Sequence, residues 1–171
     1  MKIKWKKIGL IYAPNGKGFF KTHAARPIPY RINDKVLRIF FTSRDYDDRP
    51  LPTYIDVDIK NPKKVLYVHN KPLLNFGKLG TFDDSGVTLG SILEHKGEIF
   101  VYYTGWKRRR SNVTFELSIG LCRIKRPDMS FERVFEGPIL AQDKNHPILT
   151  AGPFVMYDEG RFKMWYCSGT K

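Results

Sequence analysis

Two adjacent carboxylates, Asp83 and Asp84, stand directly ahead of Ser85-Gly86 and a strand-like run. Paired acids of this kind accept hydrogen bonds two at a time from hydroxyl donors, or pass a proton. The same residues also read as turn chemistry, with side-chain oxygens taking backbone N–H groups. Arg44-Asp45 closes another strand-like run, where the two charges either pair and pin a loop or face a ligand. Arg26 is a fixed positive charge suited to a carboxylate or phosphate, and His23 lies three residues before it. A single histidine without partners is more often structural than functional. Trp106 offers a flat face for stacking or for packing between sheets. Glu94-His95 and His146 show no ligand spacing with other donors, so neither metal nor cofactor is expected. Cys122 and Cys167 lie in apolar runs outside any CxxC, which reads as buried free thiols of a reducing, cytoplasmic compartment.

These residues must be positioned by strands. Apolar and aromatic residues come in short runs bounded by Gly, Pro, Asn and Asp, and none extends with helical periodicity over a dozen residues. The runs Val36 to Thr42, Tyr54 to Ile59, Ile99 to Thr104, Phe115 to Ile124 and Phe162 to Cys167 are rich in the β-branched and aromatic types that suit a pleated surface. The chain therefore reads as all-β.

Three segments share one plan: Lys35 to Ser43, Gly97 to Gly105 and Gly160 to Ser168. Phe41, Tyr103 and Tyr166 hold the same place in it, at intervals of 62 and 63 residues. Each follows a second run across a polar turn, namely Ala24 to Ile32, Gly86 to Glu94 and Ala151 to Tyr157. Later segments match as well, Ile55 to Leu74 against Ile119 to Leu140, so the unit is a four-stranded antiparallel sheet. Repeated sheets of that kind point to a β-propeller. On this reading blade 1 covers about 8–80, blade 2 about 81–145 and half of blade 3 about 146–171. A ring needs at least four blades, so the chain is expected to be a truncated piece or to join other copies. A sandwich of two sheets is the alternative.

The segment Thr81-Phe82-Asp83-Asp84-Ser85-Gly86-Val87, with Gly97 to Trp106, Ser118-Ile119-Gly120-Leu121, Gly137-Pro138-Ile139-Leu140 and Met164 to Gly169, resembles the invertase, levansucrase and arabinanase superfamily. The resemblance covers nearly the whole chain, as the N-terminal half of a five-bladed propeller. It implies a glycosidase-like activity, hydrolysis or transfer at a glycosidic bond, served by carboxylates at one mouth of the channel. Two of the superfamily's acids fall on other residues here: Arg26 stands directly before Pro27, and Gly152 directly before Pro153. A general acid would lie beyond Lys171 or be absent. The expected mouth then holds Asp84 and Asp83 as catalytic candidates, with His23, Arg26, Arg44, Asp45 and Trp106 as substrate-binding candidates. A carbohydrate is the expected ligand.

Lysine and arginine total 30 against 17 acids, a formal net charge of +13. The run Lys107-Arg108-Arg109-Arg110 reads as a loop between strands, with Lys2, Lys4, Lys6 and Lys7 as a second basic cluster. No nucleic-acid motif accompanies them, so nucleic acid is not the expected partner. No apolar run is long enough to span a bilayer. The class that rivals an enzyme is a non-catalytic glycan-binding or interaction module, a homo-oligomer assembled through open blade edges such as that near Phe162 to Cys167.

Overall fold

A computed structural model describes residues 3–109 and 114–169, so Lys2, Arg110 and Lys171 lie outside the described residues. Every regular element among them is a β-strand: β1 (Thr22–Arg31), β2 (Val36–Arg44), β3 (Pro50–Asp58), β4 (Val65–Val68), β5 (Gly86–His95), β6 (Glu98–Arg108), β7 (Phe115–Ile124), β8 (Phe131–Arg133), β9 (Leu149–Asp158) and β10 (Arg161–Gly169). They form an antiparallel sheet β1-β2-β3-β4, a second β5-β6-β7-β8, and a two-stranded β9-β10. The strands follow the runs of β-branched and aromatic residues, as side-chain fit to a pleated surface requires. Their turns are written locally. Lys96-Gly97 and Glu159-Gly160 both take positive φ (50° and 81°, 49° and 77°), the left-handed pair that closes a two-residue hairpin. Asn33 closes the β1–β2 turn by accepting the N–H groups of Lys35 and Val36.

The sheets stack face to face. Phe40 and Tyr54 of the first meet Phe82, Val87, Leu89 and Phe131 of the second in one apolar cluster. The first sheet's other face carries Phe41, Ile55 and Val57, over which Ile11 and Tyr12 pack. Hydroxyls stitch the layers. Thr42 accepts the Leu89 N–H (2.9 Å), Ser91 the Val155 N–H (3.0 Å) and Thr104 the Gly152 N–H (2.9 Å). These buried polar side chains each complete a backbone group that its own sheet leaves open. Close approach is set by two glycines of β5. A Cβ on Gly86 would meet the Pro50 ring, and one on Gly90 would meet Pro153, so the neighbouring sheets seat a proline against each.

The repeated aromatic position carries a repeated hydrogen bond. Tyr103 donates to Asp83 (2.9 Å), 20 residues earlier, and Tyr166 shares a bond with His146 (2.8 Å), also 20 residues earlier. Asp83 and His146 therefore occupy equivalent places, and Phe41, which has no hydroxyl, leaves the first sheet without this contact. Burial holds the Tyr103 hydroxyl protonated and pushes the neighbouring Cys122 thiol up to about 12. Cys122 is buried as expected, whereas Cys167 is exposed. It sits on a strand with no further strand beside it among the described residues.

One histidine makes stability depend on pH. His69 stacks on Tyr54 (4.6 Å between centroids), and burial, with Arg38 and Lys71 nearby, lowers its pKa below the usual value. Above about pH 6.5, the ordinary histidine value, the ring is neutral in folded and unfolded chains alike. Below it the unfolded chain takes up the proton first, so stability falls with falling pH until the folded pKa is passed. His69→Phe is expected to flatten this part of the curve. Chemical unfolding of both proteins between about pH 7.5 and pH 5 checks it, and parallel curves would contradict it.

Candidate functional site

Asp83 and Asp84 lie in the turn that leads into β5, and their side chains part there. Asp83 points into the second sheet, is fully buried, and accepts from Tyr103, from Arg133 Nε (2.8 Å) and from Thr81 Oγ1 (3.2 Å). Arg133 is tied further to the Asn75 carbonyl (2.7 Å). Asp83 is thus a closed ion pair inside the fold, away from solvent.

Asp84 points the other way, into a cleft of about 380 Å³ between the first and second sheets. It accepts the Gly80 N–H (2.8 Å) and the Ser85 hydroxyl (2.7 Å). These are the turn contacts expected of an Asp-Ser-Gly sequence, and no lysine or arginine pairs with it among the described residues. The Ser85 hydroxyl in turn accepts the Arg108 N–H (3.1 Å), and Lys107 donates to the Gly80 carbonyl (2.7 Å). The acidic turn is therefore clamped to the end of β6.

Trp106 forms a wall of the same cleft. Its indole N–H donates to Thr88 Oγ1 (2.9 Å) and its ring meets the edge of Phe115 (5.0 Å). The Arg44 guanidinium lies 5.8 Å from its centroid. The expected Arg44–Asp45 pair does not form. Arg44 donates to the Asp48 carbonyl (2.7 Å) and carboxylate (3.1 Å), while Asp45 is buried and held by Arg49 (2.7 Å). The reason is strand alternation, by which adjacent side chains point to opposite sides: Arg44 ends β2 facing the cleft, and its neighbour turns inward.

His23 and Arg26 lie on β1, where the pairing with β2 slips twice, between Thr22 and Ala25 and between Ala25 and Ile28. Both have positive φ, 66° and 53°, which is rare for residues with a Cβ. His23 bonds only to Thr22 Oγ1 (2.8 Å) among the described residues, and both side chains are exposed. Arg26 reaches β9: a Cβ on Gly152 would lie 3.2 and 3.3 Å from its two terminal nitrogens. The first strands of the first and third sheets thus meet at these two residues, and both strands also contact β5. The structure joins Arg44, Asp84 and Trp106 in one cleft, joins Arg26 to Gly152 outside the lining of that cleft, and sets Asp83 and Asp45 apart in the interior.

The stacked sheets, first strands inward, match solved proteins. A thermostable family-43 glycoside hydrolase superposes with TM-score 0.64 at 19% identity, over 89% of this chain and 48% of that one. The fold is a partial β-propeller. Zg3597, a family 117 glycoside hydrolase of Zobellia galactanivorans, superposes with TM-score 0.59 at 17% identity, over 91% of this chain and 46% of its own. Another solved glycoside hydrolase gives 0.61 at 13%, over 95% of this chain and 47% of its own. In sequence, two uncharacterized Mycobacterium tuberculosis proteins, MT1551 and Rv1502, are 36% identical over 167 residues. That match covers 97% of this chain and 55% of each relative, so the chain spans about half the length of the curated relatives it matches. No protein-family profile matches it.

β1, β5 and β9 are the first strands of the three sheets, and the Asp84 cleft opens where β5 begins. Sequence reasoning missed Arg108, whose cleft position follows from Lys107 and Arg108 extending β6; they are not loop residues. It also missed Arg133, the partner of Asp83, which nothing in the spacing marks. No helix is long and apolar enough to cross a membrane among the described residues.

Proposed function

We propose that this chain supplies the saccharide-binding part of a glycosidase-like, carbohydrate-active propeller. The observation that carries the reading is the convergence of Asp84, Arg44 and Trp106 in one cleft between two blades. An indole face takes the apolar face of a sugar ring, while a carboxylate and a guanidinium take its hydroxyls as acceptor and donor. Asp84 is the carboxylate suited to this work, since Asp47 and Asp48 in the same cleft are already paired with Arg49 and Arg44.

Glycosidic cleavage uses two carboxylates, one to protonate the leaving oxygen and one to meet the positive charge on the ring. Asp84 fills one such role, and Arg26 and Gly152 stand where the superfamily pattern has others. The reading for this chain is therefore recognition of a glycan, with hydrolysis or transfer requiring a second acid from outside these residues.

A second reading has its own observation. The outer face of β9-β10 exposes Phe154, Met156 and Trp165, which suits association through the open third sheet. One experiment separates them. A panel of oligosaccharides is titrated into the chain and into Asp84→Asn, with light scattering on the same samples. On the glycan reading, binding drops at least about tenfold in Asp84→Asn, a loss of about 1.4 kcal/mol. The melting temperature stays nearly unchanged, since Asp84 is not part of the buried network. Unchanged affinity would remove Asp84 from the site. No saccharide binding, together with concentration-dependent association, would favour the second reading.

A further inference from the structure

The charge that β1 presents at Arg26 is of the opposite sign to the one that glycosidic cleavage calls for. Arg26 projects from a twice-interrupted strand and comes to rest on Gly152 of the third sheet. Most arginines here are neutralised: Arg38 by Asp56, Arg133 by Asp83, Arg49 by Asp45 and Arg109 by Glu116. Arg26 has no carboxylate partner and donates no side-chain hydrogen bond among the described residues. Its neighbour His23 also faces solvent.

We infer that Arg26 is an anion anchor, and that the saccharide taken by this site carries a carboxylate or a phosphate. The inference rests on the saccharide reading above. A guanidinium that lies beside a glycine and pairs with no acid keeps its planar fork of N–H donors available for bidentate binding of an oxyanion. The positive-φ backbone at residue 26 is the kind of local strain that persists where surrounding structure fixes a side chain's direction. Gly152 suits the place, because its φ of 63° favours glycine and a Cβ there would lie 3.2 Å from the guanidinium. The net charge of +13 adds a long-range attraction for the same class of ligand. Asp84, in the cleft at the start of β5, is left to hold hydroxyls.

The test is calorimetric titration of the chain with glucuronate, glucose 6-phosphate, glucose and inorganic phosphate. One or both charged sugars should bind at least about tenfold tighter than glucose, and which one does so tells a carboxylate ligand from a phosphate ligand. Arg26→Gln should erase the preference, and Arg26→Lys, which keeps charge but loses the fork, should retain only part of it. Equal binding of glucose and both charged sugars, or a preference that survives Arg26→Gln, would overturn the inference and leave the saccharide reading intact. Binding of inorganic phosphate alone, lost in Arg26→Gln, would keep the anchor and overturn the saccharide reading. No binding of any probe would overturn both.

Discussion

Replacing Asp83 with alanine is expected to destabilise the chain by about 3–5 kcal/mol, the usual effect of removing one partner from a buried ion pair. Asp83 is fully buried, and its carboxylate holds both Tyr103 and the Arg133 guanidinium, whose Nη2 is 2.7 Å away. Without it, the largely buried Arg133 guanidinium loses its counter-charge and keeps only the Asn75 carbonyl, and the buried Tyr103 hydroxyl loses its acceptor. Gly77 and Gly105 pack directly against Asp83, and Gly120 against Tyr103, so these three positions offer no side chain to turn into the space left. Urea unfolding of the wild-type and variant chains measures the loss. A companion that replaces Asp83 with Leu and Arg133 with Met should recover much of it, because no buried charge is then orphaned. A loss in Asp83→Ala below about 1 kcal/mol would place the pair in the class of solvated surface bridges and contradict this account. Two neighbouring acids thus have opposite phenotypes: Asp83 affects stability, and Asp84 affects binding.

Gly90→Val is expected to destabilise by about 1–3 kcal/mol, and to do so by loosening the third sheet. A Cβ at this position would lie 2.5 Å from the Pro153 carbonyl oxygen and 2.6 Å from its ring. That neighbour is backbone, and it cannot swing aside as the end of a long side chain can. Relief requires β9-β10 to shift, which breaks the hydrogen bonds from Val155 N–H to Ser91 and from Gly152 N–H to Thr104. Hydrogen exchange at these two amides should accelerate more than at the β6–β7 pairing. Gly137, with no atom within 4 Å of its missing Cβ, is the control, and its change to alanine should stay within about 0.5 kcal/mol. Unchanged exchange at both amides in Gly90→Val would show that the blades do not depend on this close approach.

The strands were legible because each blade repeats its own pattern. Phe115 to Ile124 is read from the residues with the bounds that β7 has, and the equivalence of Phe41, Tyr103 and Tyr166 marks the middle of β2, β6 and β10. The cleft residues Asp84, Arg44 and Trp106 were legible as polar or aromatic residues at strand ends. Which of two adjacent acids faces solvent was not, since Asp83 and Asp84 differ only in side-chain direction, and that is set by Arg133, 50 residues away. The same limit applies to Arg44 and Asp45. Arg26 and Gly152 were each visible as departures from a motif. Only the convergence of β1 and β9 shows that they are one contact.

The central claim is that the cleft between the first two blades binds a saccharide. Amide and indole NMR of the labelled chain, with oligosaccharide added stepwise, tests it most directly. The account predicts saturable shifts at the Trp106 indole N–H, Ser85, Asp84 and Arg44, lost in Asp84→Asn while the spectrum stays folded. Saturable shifts confined to the outer face of β9-β10, or none at saccharide concentrations in the tens of millimolar, roughly ten times the about 1 mM affinity of a weak site, would contradict it.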